Sequence, residues 1–186
     1  SEAQKVGTYT TIARKGVRRY PLYVTRIENS NGDVVAEFTP RVREVISEDA
    51  ACKMVTLMRG VIDSGTGHRM RARYHLTVPM AGKTGTTNDN SDGWFVGYTP
   101  SLSFGGWVGG EERDIHFASM AIGQGANAAL PISAYFLMKV FADKSLGYSQ
   151  EEDFDIPEGF DPCGQTDESE TEEEIAVEPV LDNLAN

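Results

Sequence analysis

The heptapeptide Ala81-Gly82-Lys83-Thr84-Gly85-Thr86-Thr87 decides how the rest of the chain is read. It follows the apolar run Val78-Pro79-Met80 and precedes the polar run Asn88-Asp89-Asn90-Ser91-Asp92, so it falls at the end of a strand predicted from about Thr77 to Thr87. In an extended segment alternate side chains share a face: Lys83, Gly85 and Thr87 point one way, Thr84 and Thr86 the other, unless a bulge at Gly85 turns them. A glycine here also lets a second backbone or a ligand approach the strand. Gly82-Lys83-Thr84 resembles part of a phosphate-binding P-loop, the remote alternative, a nucleotide binder. That motif requires glycine at position 77, which is Thr77, and a helix after Thr84, where Gly85 and the polar loop stand.

Downstream, Trp94 to Tyr98 and Leu102 to Val108 read as two short strands joined at Thr99-Pro100-Ser101. With the heptapeptide strand they form a three-stranded antiparallel meander, with Phe95, Phe104 and Trp107 supplying buried area and Gly105-Gly106 marking a close helix crossing. Pro131 opens a helix continuing through Tyr135, Phe136, Met138, Val140 and Phe141. Upstream, Ser47 is an N-cap, Glu48 and Asp49 suit the positive end of a helix dipole, and Ala51, Met54, Val55, Met58, Val61 and Ile62 make an apolar stripe, predicting a helix over 48–63. Asn29 to Asp33, containing Asn-Gly, separates Leu22–Ile27 from Val34–Phe38 and predicts a β-hairpin. Val6, Tyr9, Ile12 and Ala13 give a short helix that Gly16 caps. The expected class is α/β (α+β), an antiparallel sheet flanked by helices.

The string from Gly82 to Thr87, with Asp92, Trp94 and Phe95 behind it, resembles the K-T-G element of the penicillin-recognising serine acyl enzymes, and among them the class A, bifunctional 1A-type penicillin-binding proteins that polymerise and cross-link peptidoglycan. Tyr9 to Gly16 resembles the helix end before that domain's hairpin, Gly65-Thr66-Gly67 the turn before its K-T-G strand, and the Pro131 helix its C-terminal helix. The resemblance covers about the first four fifths of the chain. It implies a partial penicillin-binding, serine β-lactamase-like transpeptidase fold acting on peptidoglycan stem peptides and β-lactams. By the same resemblance, Lys83 places a positive charge between a serine and the substrate's terminal carboxylate, and the Thr84 and Thr86 hydroxyls bind that carboxylate. The Thr86 N–H is one of two oxyanion-hole donors, each worth about 3 kcal/mol of transition-state stabilisation, and Gly85 and Thr87 complete the substrate-binding strand.

One departure tempers this. No serine in the sequence has a lysine three positions on, and no S-x-N stands upstream of Lys83 in the right context. The chain therefore reads as the C-terminal part of a transpeptidase domain, inactive alone; the competing reading is a non-catalytic interaction module derived from that domain. Loss of the family's two N-terminal strands would expose an edge, through which a homodimer is expected. The family's N-terminal membrane helix and extracytoplasmic catalytic domains contrast with this chain, which contains no apolar run of about 18 residues and reads as soluble.

Charge is divided unevenly. Residues 151–186 hold 14 acids and no Lys or Arg, whereas 1–150 hold 14 acids and 17 bases, so net charges of −14 and +3 make up the −11 of the whole. We expect a domain over 1–148 and an acidic, disordered tail over 149–186, with Phe154, Ile156, Phe160 and Pro162 as the residues able to dock. Cys52 and Cys163 are too few for a zinc site and poorly placed for a disulfide, and Cys52 reads as buried filler. Arg69, Arg71 and Arg73, lacking interleaved aromatics, read as a solvated face, so no nucleic-acid partner is expected. His116 has no partner at ligand spacing, and neither metal nor cofactor is expected.

Overall fold

The computed structural model describes residues 2–112 and 114–163, so the expectation of disorder over 164–186 lies outside the described residues. At its centre β5 (Ala81–Thr86), β6 (Asp92–Tyr98) and β7 (Ser103–Gly109) form one antiparallel sheet in the order β5-β6-β7. Lys83 lies opposite Val96, Thr84 opposite Phe95, and Phe95 opposite Gly106. The pleat therefore puts Thr84, Phe95 and Gly106 on one face and Lys83, Val96 and Gly105 on the other.

The first face covers the main core. Phe95, with Ile62 of α2 (Glu48–Asp63), Met70 of α3 (Arg69–Ala72), Val78, Met80, and Leu130 and Leu137 of α6 (Leu130–Ala142), has no exposed surface. On the second face Ala81 and Tyr98 meet Val55 and Met58 of α2, Tyr9 and Ile12 of α1 (Glu2–Ala13), and Phe154 and Ile156 from the acidic segment. The glycine pair admits a helix on each side: a Cβ at Gly106 would lie 3.0 Å from Ala129 O and 3.2 Å from Ser133 Oγ, and one at Gly105 would lie 3.1 Å from a Val6 methyl in α1. The close crossing expected from the sequence is thus two crossings.

The local signals for α2 hold. Ser47 Oγ accepts from Ala50 N at 3.2 Å, and the helix ends before Ser64. Its stripe is narrower than the pattern, since Met54 is 41 % exposed while Met58 is buried. The hairpin also appears, but only Arg26–Glu28 (β2) and Val34–Glu37 (β3) pair, and a ladder the sequence did not announce joins Val17–Arg19 (β1) to Val42–Glu44 (β4). Both ribbons are largely exposed, so no alternation of burial was available to mark them.

Three expectations need correction. The motif strand begins at Ala81, not Thr77. Ahead of it, the carbonyls of Leu76 and Val78 accept from Arg71 Nη1 at 2.7 and 2.6 Å, so these backbone acceptors are satisfied by a guanidinium rather than a neighbouring strand. The solvated-face reading therefore holds only in part: Arg69 and Arg73 are exposed, but Arg71 is half-buried and also binds Asp63, and Arg69 donates to Ala126 O at 3.2 Å. Finally, α6 buries Leu130, Ser133, Ala134, Leu137 and Val140, leaving Tyr135, Phe136 and Met138 exposed, and Trp107 is 38 % exposed. Small residues face the sheet because Gly106 brings the helix backbone too near for aromatics.

Residues 149–163 do not hang free of the domain. Gln150 Oε1 accepts from Thr77 Oγ1, Asp153 pairs with Arg59 at 3.3 Å, and Asp155 with Lys15 at 2.6 Å. Between these charges the Phe154 ring meets Tyr98 edge-on at 5.7 Å. Contacts from this strap therefore reach back across the expected domain boundary at 148/149.

Candidate active site

The heptapeptide lies at a sheet edge. Among the described residues β5 pairs only with β6, and its opposite side faces no strand. Thr87 N donates to Asp92 O at 3.1 Å. Because hydrogen-bonded pairs alternate along an antiparallel ladder, the backbone groups of Thr84 and Thr86 turn away from β6, toward the free edge. Thr84 O there accepts from the Lys83 ammonium at 2.8 Å.

On the Lys83 face an open groove of about 390 Å³ is lined by Lys5 and Tyr9 of α1, Lys83 to Thr87, Trp94 and Val96. The structure thus brings together all five residues expected at the site, Lys83, Thr84, Gly85, Thr86 and Thr87. Their partners differ. Lys83 has no carboxylate within ion-pair distance among the described residues. Thr84 Oγ1 shares a hydrogen bond of 2.7 Å with Thr66 Oγ1, and Thr86 Oγ1 accepts from Gly125 N at 3.1 Å. Each hydroxyl keeps bonding capacity beyond these contacts.

Thr87 closes the strand rather than the groove. Its Oγ1 bonds Ser91 Oγ at 2.8 Å and Asp92 Oδ2 at 3.2 Å and accepts from Asp92 N at 2.8 Å, pinning the turn into β6. Asp92 Oδ1 accepts from Trp107 Nε1 at 2.8 Å, so its carboxylate is engaged by neutral donors.

Several participants escaped the sequence reading. In the sequence Thr66 reads only as part of a turn, although its hydroxyl meets Thr84. Gly125, at the start of α5 (Gly125–Ala128), sits so close over Gly85 and Trp94 that a Cβ would overlap the carbonyl oxygens of both; this places its N–H on Thr86. Lys5 holds its ammonium 3.3 Å from the centroid of the Trp94 ring. No spacing rule links these residues to Lys83, because each reaches the site from another element. The P-loop alternative falls: β5 continues through Thr86, and the short 3-10 turn at Asn88–Asn90 is no phosphate-binding helix. Among the described residues there is no group of three or more His, Cys, Asp or Glu able to hold a metal.

Comparison with known proteins agrees with this arrangement. The family described as "Penicillin binding protein transpeptidase domain" matches residues 1–133. Penicillin-binding protein 1A of Aquifex aeolicus is 32% identical over 154 residues, covering 83% of this chain and 20% of that protein. Penicillin-binding protein 1B of Vibrio cholerae is 32% identical over 130 residues, covering 69% of this chain and 16% of that protein. The chain therefore spans about a fifth of the length of these curated relatives. Among solved structures, penicillin-binding protein 1A from Haemophilus influenzae superposes with a TM-score of 0.68 at 17% identity, over 77% of this chain and 27% of that one. The D,D-transpeptidase domain of a peptidoglycan glycosyltransferase from Eggerthella lenta gives 0.53 at 23% identity, over 76% and 33%. The mixed α/β architecture, with its antiparallel sheet and flanking helices, is that of the penicillin-binding transpeptidases, and the chain belongs to the penicillin-binding protein transpeptidase domain family.

Proposed function

We propose that this chain supplies the carboxylate-recognition half of a peptidoglycan D,D-transpeptidase site. The observation that carries this is the free edge of β5, where the Thr84 and Thr86 backbone groups and the Lys83 ammonium line up beside a groove. An extended peptide adding to this edge gains main-chain hydrogen bonds, while Lys83 with the Thr84 and Thr86 hydroxyls receives its terminal carboxylate. The Thr86 N–H then donates to the oxygen that becomes an oxyanion. Gly85 leaves room for the peptide, and Thr87 fixes the strand's end.

The sequence contains no S-x-x-K, so the covalent step belongs to a serine supplied elsewhere, and the chain by itself binds without acylating. Stem peptides and β-lactams are its ligands in that setting, in a cell-envelope protein whose catalytic domains lie outside the cytoplasmic membrane. No described helix is long and apolar enough to cross a membrane. The edge of β7, which pairs only with β6 among the described residues, is where a second copy would add a strand.

Amide chemical shifts test the reading. N-acetyl-D-alanyl-D-alanine should perturb residues 83–87 first, and Lys83→Ala should abolish the effect. Perturbation confined to other elements would overturn it.

A further inference from the structure

The groove beside Lys83 holds a second cation that the carboxylate-recognition scheme leaves unused. Lys5 reaches it from the opposite wall, α1, with its ammonium 3.3 Å from the Trp94 ring centroid. An indole face holds a cation in place without neutralising it, because the attraction comes from the ring quadrupole. No carboxylate lies within ion-pair distance of Lys5 or Lys83 among the described residues, and none of the groove's nine lining residues is acidic. The nearby Asp92 carboxylate is taken up by Trp107 and Thr87. Among the described residues, the groove thus presents two positive charges without a carboxylate partner, one on β5 and one on α1.

We propose that Lys5 is a specificity-determining residue, which selects peptides carrying a second carboxylate in addition to the terminal one. This rests on the reading of Lys83 as the anchor of the terminal carboxylate. With that end placed on β5, an acidic side chain nearer the peptide's middle lies toward the α1 wall and meets the Lys5 ammonium. Trp94 contributes by fixing that ammonium, so that less side-chain freedom is lost on binding than for a free surface lysine. Tyr9, one turn further along α1, forms the adjoining wall and anchors the helix through its ring contact with Tyr98 at 6.3 Å. An ammonium so placed favours the dianion most at low ionic strength.

Tryptophan emission, which reports on Trp94 beneath Lys5, measures the affinities of N-acetyl-D-alanyl-D-alanine and N-acetyl-D-glutamyl-D-alanine for the 186-residue chain. The dicarboxylate should bind roughly threefold to fivefold more tightly at low salt, the range of an exposed ion pair, and the advantage should shrink as salt is added. Lys5→Gln should bring the ratio to about one, while Lys5→Arg should keep the preference. Equal ratios for wild type and Lys5→Gln, with both peptides still dependent on Lys83, overturn the role of Lys5 alone. Failure of both peptides to bind the wild-type chain overturns that role and the Lys83 reading together. Far-UV circular dichroism of each variant separates a lost site from a lost fold.

Discussion

At the scale of single residues, the site shows how much one side chain's surroundings decide. Arg71 and Lys83 are both basic residues near the same strand, yet Arg71 serves the fold by donating to Leu76 O, Val78 O and Asp63, while Lys83 keeps its ammonium on the free edge. Arg71→Ala leaves two carbonyls near buried Leu76 and Val78 without their donor. The expected cost is about 2–4 kcal/mol of stability, read as a lower denaturant midpoint; an unchanged midpoint would show that water replaces the guanidinium. Tyr98 gives a pH signature. Burial pushes its phenol well above the ordinary 10.0, with the neighbouring Tyr9 adding to the shift, and its hydroxyl donates to Met58 Sδ at 3.5 Å. A group whose proton is held more tightly in the folded state contributes stability that is complete below the unfolded value and is lost as pH rises through the folded one. Lys15, raised by Asp155 and then Glu48, acts in the same direction. The contribution of these two groups should therefore hold up to about pH 10 and fall above it, and Tyr98→Phe should lessen that decline. An unchanged alkaline limb in the variant would assign the loss to other groups.

At the scale of elements, sequence legibility followed burial. The meander was readable because β5 to β7 alternate apolar and small residues around one buried face, and α2 because a capping serine and an apolar stripe agree. The β1–β4 ladder was not, since both strands are exposed and joined across a chain excursion. The strap at 150–156 was half-readable. Charge pointed to solvent, but Phe154 and Ile156 sit against the Tyr98 cluster and their acidic neighbours pair with Lys15 and Arg59. Composition misleads here because the acids find basic partners on α2 and just past α1, which no local count can anticipate. Cutting the chain after Gln150 should therefore lower the unfolding midpoint, with Phe154→Ala alone costing roughly 2 kcal/mol, less than a fully buried ring. A midpoint unmoved by both changes would mean that the strap merely rests on the surface. Of the candidate site, Lys83 to Thr87 were legible as one contiguous motif. Thr66, Gly125 and Lys5 were not, because their proximity exists only after the sheet, α1 and α5 have come together.

At the scale of the molecule, the sheet has two edges unpaired among the described residues: β5, where the proposed ligand adds, and β7. The two faces divide the labour: α6 and α2 bury the core beneath Phe95, while on the other face α1 lines the groove beside Lys83 and the strap packs against the Tyr98 cluster. The chain belongs to the transpeptidase family and contains no S-x-x-K, so under the proposed function the nucleophilic serine comes from outside it. The most direct test mixes this chain with a separately produced transpeptidase fragment carrying S-x-x-K and S-x-N, then measures covalent labelling by a fluorescent penicillin. We predict no labelling of this chain alone, labelling of the partner's serine in the mixture, and loss of most of that labelling when Lys83→Ala replaces the wild-type chain. Labelling of the mixture that is undiminished by Lys83→Ala would contradict the assignment of this strand as the carboxylate-recognition half of the site.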